Sequence, residues 1–260
     1  MNTHEGVVYG KYAQRMLLES GTGMRAAEPA ALRALQERLD ELLRDTQPVY
    51  MLDAGCGKLR AIPVADELYI VGIDVSEEEI SRNDLLSEAI VGDIQTYDLG
   101  DSRFDVIICW NVLEHVEAPI KALLNFKTAL KPGGLLVLAV PHAMSVKGLA
   151  TRFTPYWFHD KFRSWIKPDA HSELVLNAFP TVMSPAITPK RLRAFARDNA
   201  LSIEFLTEYE NWQQKKLRAK LKLTGGAFRA IQKIIAALSL GSVTASATDA
   251  LVVMQKTPSV

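Results

Sequence analysis

Apolar positions fall along this chain in two rhythms. From Glu28 to Asp45, leucines at 32, 35, 39, 42 and 43 recur every few positions with charged residues between them, the spacing of a helix with one buried stripe. Four runs behave differently: VYMLDAG (49–55), LYIVGID (68–74), FDVIICW (104–110) and LLVLAVP (135–141) are almost continuously apolar. Strands of that kind are buried on both faces, as in a parallel sheet. Helix-compatible stretches separate them at 59–67, 76–88 and 117–130, the last with Pro119 near its start, where a helix loses nothing by a missing N–H. The alternation predicts a doubly wound α/β sheet.

Beyond Pro141 the pattern breaks. Residues 142–187 hold seven of the chain's twenty Phe, Trp and Tyr residues, which predicts an inserted segment rather than a plain crossover helix. Thr188-Pro189 reads as an N-cap followed by proline at the first helical position, opening a helix to about Ala200. Ser202–Glu208 and Ala250–Gln255 read as two closing strands. Between them, 211–248 carries seven basic residues (Lys215, Lys216, Arg218, Lys220, Lys222, Arg229, Lys233) and no acid. Phe228, Ile231, Ile234, Ile235 and Leu238 repeat there at helical spacing. Such a segment suits an anionic membrane surface, or it packs its apolar face on the domain and leaves its cations in water; Trp212 and Phe228 among the cations are also compatible with RNA.

Composition narrows these readings. The 260 residues fit one domain carrying insertions. Thirty basic residues balance thirty acidic ones, so no global field favours nucleic acid. Cys56 and Cys109 form no ligand-like pair, the first residues do not read as a signal sequence, and no apolar run reaches the roughly eighteen residues of a membrane span. These features predict a cytoplasmic protein, with 211–248 as a contact to the inner face of the membrane.

The chemistry starts at VYMLDAGCGKLR (49–60), where a strand runs into an acid and two glycines. Glycine lets the backbone approach a ligand, and the helix start beyond offers free N–H groups. A dinucleotide fingerprint needs glycine where Arg60 stands, and a phosphate-binding P-loop needs glycine at Leu52 and Ser or Thr at Leu59. With both excluded, Asp53-Ala54-Gly55-Cys56-Gly57-Lys58-Leu59 resembles the first motif of class I S-adenosylmethionine-dependent methyltransferases, D/E-x-G-x-G-x-G, with leucine in place of the third glycine. Further matches follow in order: Asp74 at the end of VGID, Asp93 in VGDI, the strand and loop FDVIICWNVLEHV, and LKPGGLLVLAVP.

The resemblance implies a Rossmann-like seven-stranded sheet with an antiparallel last strand, an N-terminal helical cap (1–47), a cofactor-binding core (48–141) and two insertions, an aromatic lid (142–187) and a basic arm (209–248). It implies S-adenosylmethionine as cofactor and S-adenosylhomocysteine as product. Asp53, Gly55, Cys56 and Gly57 would hold the amino acid portion, Asp74 with Val75 the ribose, Asp93 and Ile94 the adenine. Trp110, Asn111 and Val112 would border the methionine and its methyl group. Tyr9 and Tyr12 in the cap are placed to close the pocket.

His115 and His142 stand just beyond two strand ends, the edge where open α/β sheets bind ligands, and are the candidate catalytic residues; packing or loop anchoring is the alternative for each. A metal-dependent variant of the family would need an acid where Asn111 stands and a second histidine beside His115, so no metal is expected. Tyr156, Trp157 and His159 in RFTPYWFHDKFRSW (152–165) are candidate acceptor contacts, either as a water-excluding lid or as rings packing the insertion. With Pro141-His142 and AFPT (178–181), these motifs and the basic arm also resemble bacterial methyltransferases of surface-polysaccharide and glycolipid assembly. The acceptor expected is a small or lipid-linked molecule methylated on a sugar or other hydroxyl. The alternatives are carbon or nitrogen methylation of a quinone-like or aromatic metabolite, suggested by similarity to ubiquinone-pathway methyltransferases, and a non-catalytic cofactor-binding module that docks on membrane or RNA.

Overall fold

The computed structural model describes residues 3–4, 7–8, 29–46, 48–57, 68–142, 144–145, 184–220, 222–223, 225–240, 243–244 and 247–258. Seven strands form one sheet: β1 (Val49–Ala54), β2 (Leu68–Asp74), β3 (Glu88–Val91), β4 (Phe104–Trp110), β5 (Leu130–Pro141), β6 (Leu201–Tyr209) and β7 (Asp249–Lys256). Their order across the sheet is β3-β2-β1-β4-β5-β7-β6, with β1 to β5 parallel and β7 antiparallel to both of its neighbours. The expected seven-stranded sheet with an antiparallel last strand is therefore present. Near the start of the chain, Thr3–His4 pairs with Val7–Val8 in a short antiparallel ribbon.

Alternate residues of the buried strands face opposite layers. Val49 and Met51 of β1 pack with Val106, Ile108, Val137 and Val253 against Ala31, Leu35, Leu39 and Leu43 of α1 (Pro29–Leu42) and the turn after it. Leu52 and Ala54 face the other way, into a second layer with Ala122, Leu123 and Phe126 of α3 (Pro119–Ala129) and Leu192 and Phe195 of α4 (Pro189–Asp198). The N-terminal helix is thus a core layer of the sheet.

Two expectations are corrected. The helix read over 76–88 is the single turn α2 (Glu77–Ile80). Polar side chains end it: Asn83 donates to the Gly57 carbonyl and accepts from Leu85 N–H, and short polar groups that bond backbone in this way favour turns. The edge strand β3 lies directly beyond, and its one buried residue, Ile90, made it hard to read as a strand. Thr188 sits at the N-cap position of α4 but does not cap it; its hydroxyl donates to the Pro185 carbonyl, closing a preceding one-turn 3₁₀ segment, Pro185–Ile187. Proline at the first helical position is as expected.

The helix expected over 59–67, the tyrosines at 9 and 12, and Tyr156, Trp157 and His159 of the aromatic insertion lie outside the described residues. The basic arm forms two helices, α5 (Trp212–Lys220) and α6 (Gly225–Leu238).

Candidate functional site

Because β1 to β6 run in one direction and β7 in the other, the carboxyl ends of six strands and the amino end of β7 meet along one edge of the sheet. Chain order reverses between β1 and β4, the switch point at which open α/β sheets leave a ligand crevice. Every described candidate residue lies at or just beyond that edge.

The glycine turn follows β1. Asp53 is almost fully buried, and Gly55 and Cys56 both donate backbone N–H groups to the Ile73 carbonyl, at 2.7 and 3.3 Å. Gly55 has φ +77°, and a Cβ there would lie 2.4 Å from Val112 Cγ2, so the turn exists in this form only without a side chain. The same contact brings the loop after β4 down onto the turn. Gly57 has φ +48°, and a Cβ there would meet nothing within 4 Å among the described residues. Cys56 is fully buried and packs against Gly72, which leaves its backbone as the part at the turn.

Asp74 closes the next strand. Its Oδ2 accepts from Gly57 N–H and its Oδ1 from Ser76 N–H, both at 2.9 Å. An ionised carboxylate has about four acceptor sites, so each oxygen keeps a lone pair beside Gly57. Two such acceptors side by side suit a vicinal diol. Val75, which follows, is exposed.

Beyond β3, Asp93 is clamped by Gln95, whose backbone N–H donates to Oδ1 at 2.8 Å and whose side-chain amide donates to both oxygens. The same amide accepts Ala118 N–H at the start of α3, coupling this acid to the helix after β4. Ile94 is 5% exposed within the core. Trp110 likewise turns its ring into the layer under α1, leaving Asn111 and Val112 as the side chains at the edge. Asn111 has φ +53° and donates its N–H to the Ala139 carbonyl. His115 ends a 3₁₀ turn with its Nε2 3.9 Å from the buried Glu114.

His142 leaves β5 with its N–H bonded to the Thr248 carbonyl at 2.8 Å. Its imidazole is nearly buried: Nε2 lies 3.3 Å from a Glu208 carboxylate oxygen, and Nδ1 is buried without a hydrogen-bond partner among the described residues. Glu208 was not foreseen, since it sits 66 positions away and reaches His142 only because β7 inserts between β5 and β6. Around them, Thr248 Oγ1 donates to Asp249 Oδ2 at 2.6 Å and accepts Asn211 N–H. Burial and the neighbouring Asp249 charge push the Tyr209 hydroxyl far above its usual range, so it stays protonated. Among the described residues, no group of three or more His, Cys, Asp or Glu side chains is arranged to hold a metal ion.

The strand order, the glycine turn, the acid ending β2 and the acid just beyond β3 define a class I methyltransferase fold, the class whose methyl donor is S-adenosylmethionine. A model of the methyltransferase domain matches residues 25–178, and the chain belongs to that family. A ubiquinone biosynthesis O-methyltransferase of Rickettsia typhi is 30% identical over 112 residues, 40% of this chain and 45% of that protein. The matches cover from 29% to 57% of the first curated relatives' lengths. Among solved structures, a protein of Galdieria sulphuraria assigned as a sarcosine dimethylglycine methyltransferase superposes with TM-score 0.54 at 13% identity, over 96% of this chain and 92% of that one. Geranyl diphosphate C-methyltransferase of Streptomyces coelicolor gives 0.51 at 13% identity, over 86% and 76%. Both likenesses concern the fold.

Proposed function

We propose that this chain transfers a methyl group from S-adenosylmethionine to a hydroxyl of a small or lipid-linked acceptor, with His142 as the general base. Asp74 takes the ribose diol through the lone pairs left by Gly57 and Ser76, Asp93 meets the adenine side of the crevice, and the Gly55–Gly57 turn with Asp53 receives the amino acid portion. Asn111 and Val112 border the reacting end. The bound cofactor supplies an electrophilic methyl and leaves as S-adenosylhomocysteine.

The observation that carries the choice of a hydroxyl is the His142–Glu208 pair. Glu208 lies 3.3 Å from Nε2; a proton on Nε2 facing that carboxylate would leave Nδ1 with its lone pair, and Nδ1 meets no hydrogen-bond partner among the described residues. As the acceptor oxygen attacks the methyl carbon, Nδ1 takes the hydroxyl proton. The Rickettsia typhi relative, by its name an O-methyltransferase, favours the same acceptor atom.

The test is turnover. Purified protein is incubated with methyl-labelled S-adenosylmethionine and fractionated host extract, and the methylated atom is identified by NMR. His142→Ala should lower kcat by about 10²–10⁴-fold, the usual worth of a general base, with calorimetric affinity for S-adenosylmethionine unchanged. Label on carbon or nitrogen, or full activity in His142→Ala, would overturn the hydroxyl reading.

A further inference from the structure

We propose that the arm formed by α5 and α6 docks on an anionic lipid surface. The apolar stripe of α6 is divided. Phe228 and Ile235 turn inward and are half-buried, with Phe228 under the Arg218 guanidinium, 4.3 Å from carbon to ring centre. Ile231, Ile234 and Leu238 share an adjacent flank at helical spacing and face outward; Ile234 is 57%, Leu238 83% and Leu240 95% exposed. Large aliphatic side chains grouped in this way mark a contact surface.

Charge selects the partner. Arg218 is spent inside the arm, where it grips both oxygens of Glu210 at 2.9 Å and donates to the Leu223 carbonyl. Lys220, Lys222, Arg229 and Lys233 remain, and no acid occurs from 211 to 248. A second copy of the chain would set these cations against their own kind. An anionic bilayer offers an apolar interior for Ile234 and Leu238 and negative headgroups for the cations of the arm. Lys233 lies about 100° round the helix from Ile234, where its long side chain can reach the headgroups. At about 1.5 Å per residue α6 is about 21 Å long, too short to cross a hydrocarbon layer of about 30 Å, so it would lie along the surface. The arm leaves β6 and rejoins β7 at Tyr209 and Asp249, beside His142 and Glu208. Docking therefore presents this edge to the membrane. That consequence, a lipid-linked acceptor, rests on the proposed function; the docking itself does not.

The experiment is co-sedimentation of the full chain with phosphatidylcholine vesicles, with and without phosphatidylglycerol, at low and high salt, beside calorimetric binding of S-adenosylmethionine. Binding should require phosphatidylglycerol and weaken with salt. Lys220→Gln and Lys222→Gln should each weaken it about fivefold, and the exposed pair Ile234→Ser/Leu238→Ser by more than about tenfold, with the melting temperature kept. Absence of binding to anionic vesicles, or full binding by the serine pair, would overturn the proposal, as would self-association or RNA capture that the serine pair abolishes in place of vesicle binding. Retained cofactor affinity with no vesicle binding would sink the docking alone; lost cofactor affinity with intact vesicle binding would sink the proposed function alone.

Discussion

At Gly55 the two demands on the turn separate. The left-handed φ costs any side chain about 1–3 kcal/mol, and a methyl 2.4 Å from Val112 adds an overpacking cost of about 1–3 kcal/mol. Gly55→Ala is therefore expected to lower the unfolding free energy by the sum of both, and Gly55→Ala/Val112→Ala to recover only the steric part, as read by denaturant titration. Asp74 makes a different prediction. Asp74→Ala should weaken S-adenosylmethionine binding at least about 100-fold, from two lost charge-assisted bonds, with the domain still folded; unchanged calorimetric affinity would remove Asp74 from the site. Both residues were legible in the sequence because turn chemistry and the strand-end acid are local. Glu208 was not, and neither was the inward turn of Trp110 and Ile94, since side-chain direction depends on which layer each strand residue meets.

Among the elements, α1 is tied to β6 by Arg38, which reaches Glu204 at 2.6 Å and Glu41 at 2.7 Å. The Ser202 hydroxyl, and after it Arg38, holds the Glu204 carboxyl below its ordinary value of 4.5, against the opposing effect of its partial burial. A carboxyl lowered in the folded state adds stability that is present above its unfolded pKa and is lost as pH falls through the lower folded value. The melting temperature of Glu204→Gln should thus lie slightly below that of the parent at neutral pH, and the gap should close as pH drops below about 4.5; a gap that widens in acid would contradict the sign. Elements long enough to show a period, such as α1 and α3, were read to within a few residues. The turn α2 and edge strand β3 were not, because four residues carry too little periodic signal and Asn83 bonds sideways to the glycine turn instead of continuing the helix.

For the molecule as a whole, the arm is separable from the sheet. Thr248 N–H already bonds the Tyr209 carbonyl, so the ends of the 211–248 segment meet across an antiparallel pair. Replacing 212–246 with a short glycine turn should preserve the melting temperature and cofactor affinity and abolish vesicle binding; loss of cofactor affinity would show the arm to be part of the site. The sequence by itself determined the alternation of strand and helix, the glycine turn, the acids at Asp74 and Asp93, and a basic arm without acids, because each is written in neighbouring residues. Only the tertiary structure decided that α1 is a core layer, that Glu208 meets His142, and that the apolar stripe of α6 divides into an inner and an outer flank. Those outcomes depend on β7 entering between β5 and β6 and on which face each helix lays against the sheet, and contacts between residues far apart in the chain leave no local pattern to read.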